Sequence, residues 1–350
     1  MSRVEQLSKR ERRVLEAVIQ TYVQTAEPAG SRTLSRRFGL GVSPATIRNT
    51  MSDLEEKGFL FHPHTSAGRI PTNKAYRAYV DALIGSPTPV PSIQRDHLVE
   101  ALSTRQDSPI ETILRRATQS LGILTQELGV AMGPRLATSV LRSLDLVRVS
   151  DERLLMVLAL EGGAVRTVFV EVAGSIAGSA LSQVTKVLNE RLAGLSLDEI
   201  RTSVGARLRD SVSAREASEL LNIFVQEAEA IFDETISLND ERILFGQASV
   251  LAEQPEFAAA DRMRRLIELT ERPQALADAL RRRGETSGIS ITIGTEHDDE
   301  RLRDFTVVTA EYHAGPLAGV IGVIGPTRMP YEKVISLVNH TSQLLSELLD

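Results

Sequence analysis

Apolar residues recur at helical spacing from early in the chain. Val14, Leu15, Val18, Ile19, Tyr22 and Val23 fall on one side of a segment that starts after a cap at Ser8 and stops at Pro28 and Gly30. A second short helix is expected over residues 31–38, with Leu34 and Phe38 on one side and Gly39 at its end. Ser43 then offers an N-cap, and Pro44 suits the first helical position, where its missing N–H costs nothing. The third helix is expected to run to Lys57, with Gly58 closing it in the left-handed conformation. The stretch "FLFHPHTSAGRIPT" reads as two short strands around a loop at Ser66–Gly68. Three helices and a β-ribbon within about 70 residues predict a winged helix-turn-helix.

A further helix, "NKAYRAYVDALI", places Tyr76, Tyr79, Val80 and Leu83 on one face. "GSPTPVPS" (85–92) follows, and its prolines make a semi-stiff linker and the clearest domain boundary in the chain. Beyond it, Ile110, Ile113, Leu114, Ala117, Leu121, Leu124 and Leu128 mark a long amphipathic helix. Three strand-like runs come next, "SVLRSLDLVRVS", "RLLMVLALE" and "AVRTVFVEV", the last two joined by a hairpin signal at Gly162–Gly163. From about Gly174 to Leu238 the pattern is helical. Strands return as "GISITIGTE", "FTVVTAEYH" and "LAGVIGVIGP", before a last amphipathic helix carrying Val334, Ile335, Val338, Thr341, Leu345 and Leu348. The fold class expected is multidomain α+β, one α+β domain being interrupted by a mainly helical insertion. The boundaries read from the chain are a winged-helix head (1–84), a linker (85–97), the first part of the α+β domain (98–173), the insertion (174–250) and the second part (251–350). Hydrophobic period leaves open whether the two strand groups share a sheet.

Composition narrows the function classes. With 42% apolar and 25% charged residues, the chain has the balance of a soluble globular protein. The absence of cysteine excludes a disulfide framework, a thiolate metal site and a cysteine nucleophile. The charged, amphipathic start has no apolar h-region, so no signal peptide is expected; no apolar run approaches the roughly 20 residues that cross a bilayer, and a cytoplasmic protein without a membrane partner is expected. Residues 1–80 carry 13 Lys and Arg against 7 Asp and Glu, whereas residues 81–350 carry 27 against 39. A basic head on an acidic body is the pattern of a small module that meets a polyanion.

The third helix can supply the chemistry. With Ile47, Met51 and Leu54 on the buried stripe, the opposite side carries Ala45, Asn49 and Ser52, flanked by Thr46 and Arg48. Asn pairs with adenine in two places, Arg with guanine, and small methyls touch thymine. An ordinary amphipathic surface helix would also show small polar residues outside, so the neighbours decide. Arg69 lies just beyond the Ser66–Gly68 turn, where a wing inserts a guanidinium into a minor groove or against phosphates. Ser31, Arg32 and Thr33 open the second helix, where backbone N–H groups and the dipole favour a phosphate. His62 and His64 flank Pro63 with no third ligand nearby, so no metal site is expected.

"SPATIRNTMSDLEEKGFL" and "PHTSAGRIPTNKAYRAYVD" closely resemble the N-terminal signature of the HrcA-type heat-inducible transcription repressors of bacteria. The likeness is firmest over residues 8–82 and extends more loosely to "LNERLAGLSLDEI" and to "EQPEF" at 253–257. The resemblance implies repression of chaperone operons by a homodimer on an inverted-repeat operator (the CIRCE element), in the cytoplasm and on the nucleoid. It also implies a winged-helix head, a GAF-like domain, an inserted dimerisation domain and a GroEL-type chaperonin as the partner that keeps the repressor active. The motif carries DNA contact onto Ser43, Ala45, Thr46, Arg48, Asn49 and Arg69.

A two-fold operator needs two heads held by a two-fold interface. The best candidate is "REASELLNIFVQEAEAIFDETI", with Leu220, Leu221, Phe224, Ala228, Ile231 and Phe232 along one side, although the same stripe serves equally for burial within one subunit. No catalytic residue or cofactor is expected. "HDDE" at 297–300 falls between two strands and reads as a charged loop, and "GVIGVIG" (319–325) is neither a phosphate loop nor a dinucleotide fingerprint. The alternative function is a small-molecule-sensing winged-helix regulator with its ligand in the GAF-like domain.

Overall fold

A computed structural model describes residues 7–63, 68–85, 88–103, 110–134, 138–161, 165–172, 174, 176–208, 215–226, 243–283, 288–315 and 317–349. The chain divides into two units. One is Met1–Ala131 with Ile243–Glu311 and Val320–Leu344; the other is Met132–Arg242 with Tyr312–Gly319 and Leu345–Asp350.

The first unit begins with α1 (Lys9–Thr25), α2 (Ser31–Phe38) and α3 (Pro44–Glu56). Ser8 and Glu11 form a reciprocal capping box at the start of α1, and Ser43 accepts the Thr46 N–H at 3.1 Å at the start of α3. Val14, Val18 and Ile19 of α1, Leu34 of α2 and Ile47, Met51 and Leu54 of α3 are all buried. Full burial of each such side chain contributes roughly 1.5–3 kcal/mol. A two-stranded antiparallel ribbon follows, β1 (Leu60–Phe61) and β2 (Ile70–Pro71), with Leu60 opposite Pro71 and Phe61 opposite Ile70. Thr72 then caps α4 (Asn73–Ile84). These elements fall where the apolar spacing and the caps put them.

After α5 (Ser92–Leu102) and α6 (Ile110–Thr125), the structure departs from the sequence pattern. Leu128 continues the helical spacing but starts strand β3 (Leu128–Met132), whose residues are all buried. The helix has already ended, because Gln126 adopts a left-handed φ of 65°.

The second unit holds β4 (Leu141–Arg148), β5 (Arg153–Leu160) and β6 (Val165–Glu171), an antiparallel meander. Leu154, Met156, Leu158 and Leu160 alternate inward, where they share one core with α7 (Gly178–Leu192), α8 (Leu197–Leu208) and α9 (Arg215–Gln226). Asn189 of α7 binds the β4 backbone at Leu144, accepting its N–H at 2.8 Å and donating to its carbonyl at 2.6 Å. The Gly162–Gly163 turn lies outside the described residues, and Ala159 and Val165 pair beside it. The second unit therefore takes in β4–β6 together with the helices that follow them. Alternation identifies a strand but not the sheet it joins.

The chain returns through β7 (Ile243–Phe245), α10 (Ser249–Ala252), a 3-10 turn at Pro255–Ala258, α11 (Ala260–Glu271) and α12 (Gln274–Arg283). It then forms β8 (Ile289–Ile293), β9 (Phe305–Ala314), β10 (Leu317–Pro326) and α13 (Tyr331–Leu349). The five-stranded sheet has the order β7-β3-β10-β9-β8, with β8 antiparallel to β9. β7 was expected inside the helical insertion, yet the Gly246 N–H donates to the Gly129 carbonyl at 2.8 Å beside β3. A strand of three residues leaves too short a pattern to read. Glycine in the "GVIGVIG" run serves close packing: a Cβ on Gly325 would stand 1.9 Å from the Glu127 carboxylate. Among the described residues no helix is long and apolar enough to cross a membrane.

Candidate nucleic-acid interface

Ile47, Met51 and Leu54 turn α3 so that Ala45, Arg48 and Asn49 are exposed on its other side. Several hydroxyls of α3 also bond within the helix or its cap. The Ser43 and Thr46 hydroxyls lie 2.9 Å apart, and Ser52 Oγ donates to the Arg48 carbonyl at 3.3 Å. The side chains of Arg48 and Asn49 carry no hydrogen bond or ion pair among the described residues.

The start of α2 is open to an anion. Gly30 caps it without a side-chain bond, and its first turn holds no acidic residue. Its first N–H groups and the positive end of its dipole are therefore available. Ser31 is buried, whereas Arg32 and Thr33 are exposed. The returning arm of the ribbon is stitched to this turn: Ala29 N–H donates to the Arg69 carbonyl at 2.9 Å, and Arg69 N–H to the Ala29 carbonyl at 3.0 Å. A cavity of about 280 Å³ results, lined by Gly30, Ser31, Arg32, Arg48, Gly68 and Arg69 among others. Three arginines far apart in sequence meet at one helix N-terminus.

Arg69 occupies the wall of this cavity, with its guanidinium Nη2 2.8 Å from Glu55 Oε2 and its Nε buried without a hydrogen-bond partner. Its backbone, on the loop side of the β1–β2 pairs, is held by the ladder to Ala29. His64 and Ser66 lie outside the described residues, and His62 is half-buried. Sequence reasoning missed Glu55 and Gly68. Glu55 shows no signal beyond its charge, whereas Gly68, next to an arginine before a strand, marks a close backbone approach.

Of the stripe expected to pair two subunits, Leu220, Leu221 and Phe224 are buried in the chain's own core against α7 and α8. Ala228, Ile231 and Phe232 lie outside the described residues. In "HDDE", Asp299 caps a turn and binds Arg301, and His297 is buried. Among the described residues no group of three or more His, Asp or Glu is placed to hold a metal. A second cavity of about 490 Å³ lies outside the five-stranded sheet, lined by Ile19, Val23, Tyr79, Pro89, Gln94 and Lys333 among others.

The family model for the HrcA protein C-terminal domain matches residues 111–335. Over 98% of both chains, the sequence is 39% identical to the heat-inducible transcription repressor HrcA of Chlorobium phaeobacteroides (strain BS1). It is 36% identical, again over 98% of both, to that of Chlorobium chlorochromatii (strain CaD3). A crystal structure described only as that of a hypothetical protein aligns with a TM-score of 0.59 at 23% identity over 98% of both chains, a likeness of fold. End-to-end coverage at this identity, with a family model spanning most of the chain beyond the head, leads to one conclusion: the chain belongs to the HrcA family.

Proposed function

We propose that the chain is a heat-inducible transcription repressor that binds DNA in a sequence-specific way through its N-terminal head, a winged helix-turn-helix. α3 enters the major groove with Arg48 and Asn49 on base edges and the Ala45 methyl against thymine. A flanking phosphate sits at the start of α2, held by the helix N–H groups, Arg32 and Arg69. What carries the reading is the convergence of Arg32, Arg48 and Arg69 on one uncapped helix N-terminus beside the exposed Asn49. The repressor role comes from the relatives, which are named heat-inducible transcription repressors. No catalytic step and no cofactor belong to this reading.

The resemblance of residues 43–60 and 63–81 extends it further. The target is an inverted-repeat operator of a chaperone operon, bound by a homodimer, with a GroEL-type chaperonin as partner. The unit built on the five-stranded sheet is GAF-like. The 490 Å³ cavity favours a second reading, a ligand-responsive regulator, which a small molecule that both raises the melting temperature and weakens operator binding would support.

In vitro transcription from a chaperone-operon promoter tests the proposal. The protein silences the template that carries the inverted repeat, heating restores transcription, and a template with a scrambled repeat stays active throughout. Equal transcription from both templates would overturn it.

A further inference from the structure

Two arginines remote from the DNA-facing surface fasten the head to the rest of the first unit. Arg328, only 14% exposed, grips both carboxylate oxygens of Glu256, through Nε to Oε1 and Nη2 to Oε2 (2.9 Å). Its third donor, Nη1, reaches the carbonyl of Val23 in the last turn of α1 at 2.5 Å. Glu256 is itself anchored. The neighbouring Gln254 donates to the Gln126 carbonyl at 2.6 Å and to Glu127 at 3.2 Å, and the Phe257 ring stacks on Phe305 at 5.9 Å. This accounts for the "EQPEF" motif, which the DNA-facing surface leaves unused.

The second grip is on α4. Arg77 donates from Nε to Glu296 Oε1 at 2.8 Å, and from Nη2 to Glu296 Oε2 at 2.5 Å and the Ile291 carbonyl at 2.7 Å. Between the two grips the rings of Tyr76 and Tyr331 lie 5.6 Å apart. A planar guanidinium holding two oxygens fixes direction as well as distance, which an ammonium does not. One such grip leaves a hinge. Two, on different helices of the same head, leave none.

Given the operator-binding function proposed above, we propose that Arg328 and Arg77 are positioning residues. They fix the head on the five-stranded sheet, so that the spacing two heads accept on an inverted repeat is set by residues that touch no DNA. A head held in register meets its half-site at high effective concentration, and a swivelling head does not.

The test uses the full-length protein on duplexes whose half-repeats are separated by the natural spacer or by spacers one to three base pairs shorter or longer, beside a single half-site duplex. Wild type is expected to favour one spacer sharply. Arg77→Gln/Arg328→Gln keeps half-site affinity within about twofold, loses about tenfold on the natural operator and accepts the altered spacers nearly equally. Glu256→Gln/Glu296→Gln, which keeps shape and removes charge, shifts the profile the same way and guards against a simple folding defect. A spacer profile as sharp as wild type in both variants overturns the inference, and so does half-site affinity that falls in step with operator affinity. Failure of wild type to bind any half-site would instead remove the DNA-binding function itself.

Discussion

A methyl group added at Gly68 would stand 2.3 Å from the Ala29 carbonyl oxygen, in backbone that cannot retreat without breaking the ladder to Arg69. Gly68→Ala is therefore expected to cost roughly 1–3 kcal/mol of head stability. It should also weaken operator binding by opening the cavity at the start of α2. Thermal melts and duplex titrations on the same preparation check this, and a variant with unchanged melting and affinity would contradict the placement of the ribbon. At this scale the sequence was legible only in part. Asn49 and Arg48 could be read from helical phase, because the buried positions of α3 fix what faces out. The surroundings of Arg69 could not, because its partners Glu55 and Ala29 are brought to it by the fold rather than by spacing.

Between elements, the start of α1 and the end of α3 are joined by Lys57 Nζ and Glu11 Oε1 at 2.6 Å. The Lys57 hydrogen bond, then the Ser8 N–H, lowers the Glu11 carboxyl from its ordinary 4.5 to about 2. A carboxylate whose folded pKa is depressed adds stability above its unfolded pKa and loses it as the pH falls through the folded value. The head's melting temperature should therefore fall between about pH 5 and pH 2. Lys57→Met should lower stability near neutrality by about 1–2 kcal/mol, reflecting the half-exposed lysine, and should flatten that acid limb. Superimposable pH profiles for the two proteins would refute the link. Helix starts were the most legible elements, since Ser8 and Ser43 cap as their side chains allow. Strands β3 and β7 were not, because a short apolar run has no period to distinguish it from a helix end.

For the whole molecule, the strand alternation in β4–β6 was visible but their companions were not. Sheet partnership depends on which long-range surfaces meet, and these three strands join α7–α9 in one core. Phe224, 1% exposed, belongs to that core, so Phe224→Ala should destabilise the second unit by about 3–5 kcal/mol. The loss should be the same at every protein concentration. A loss that shrinks as the concentration rises would place Phe224 between two subunits instead. The charge asymmetry of the sequence singles out the head, where Arg32, Arg48 and Arg69 line one cavity.

The central claim, that the exposed side of α3 reads sequence, is tested most directly by one ratio. It is the affinity for the inverted-repeat duplex divided by that for a scrambled duplex, measured at one fixed salt concentration for wild type and Asn49→Ala. Wild type should discriminate strongly, and Asn49→Ala should lose roughly 1–3 kcal/mol of that discrimination while binding the scrambled duplex as before. An unchanged ratio would contradict the account and leave the head a basic patch that holds DNA without reading it.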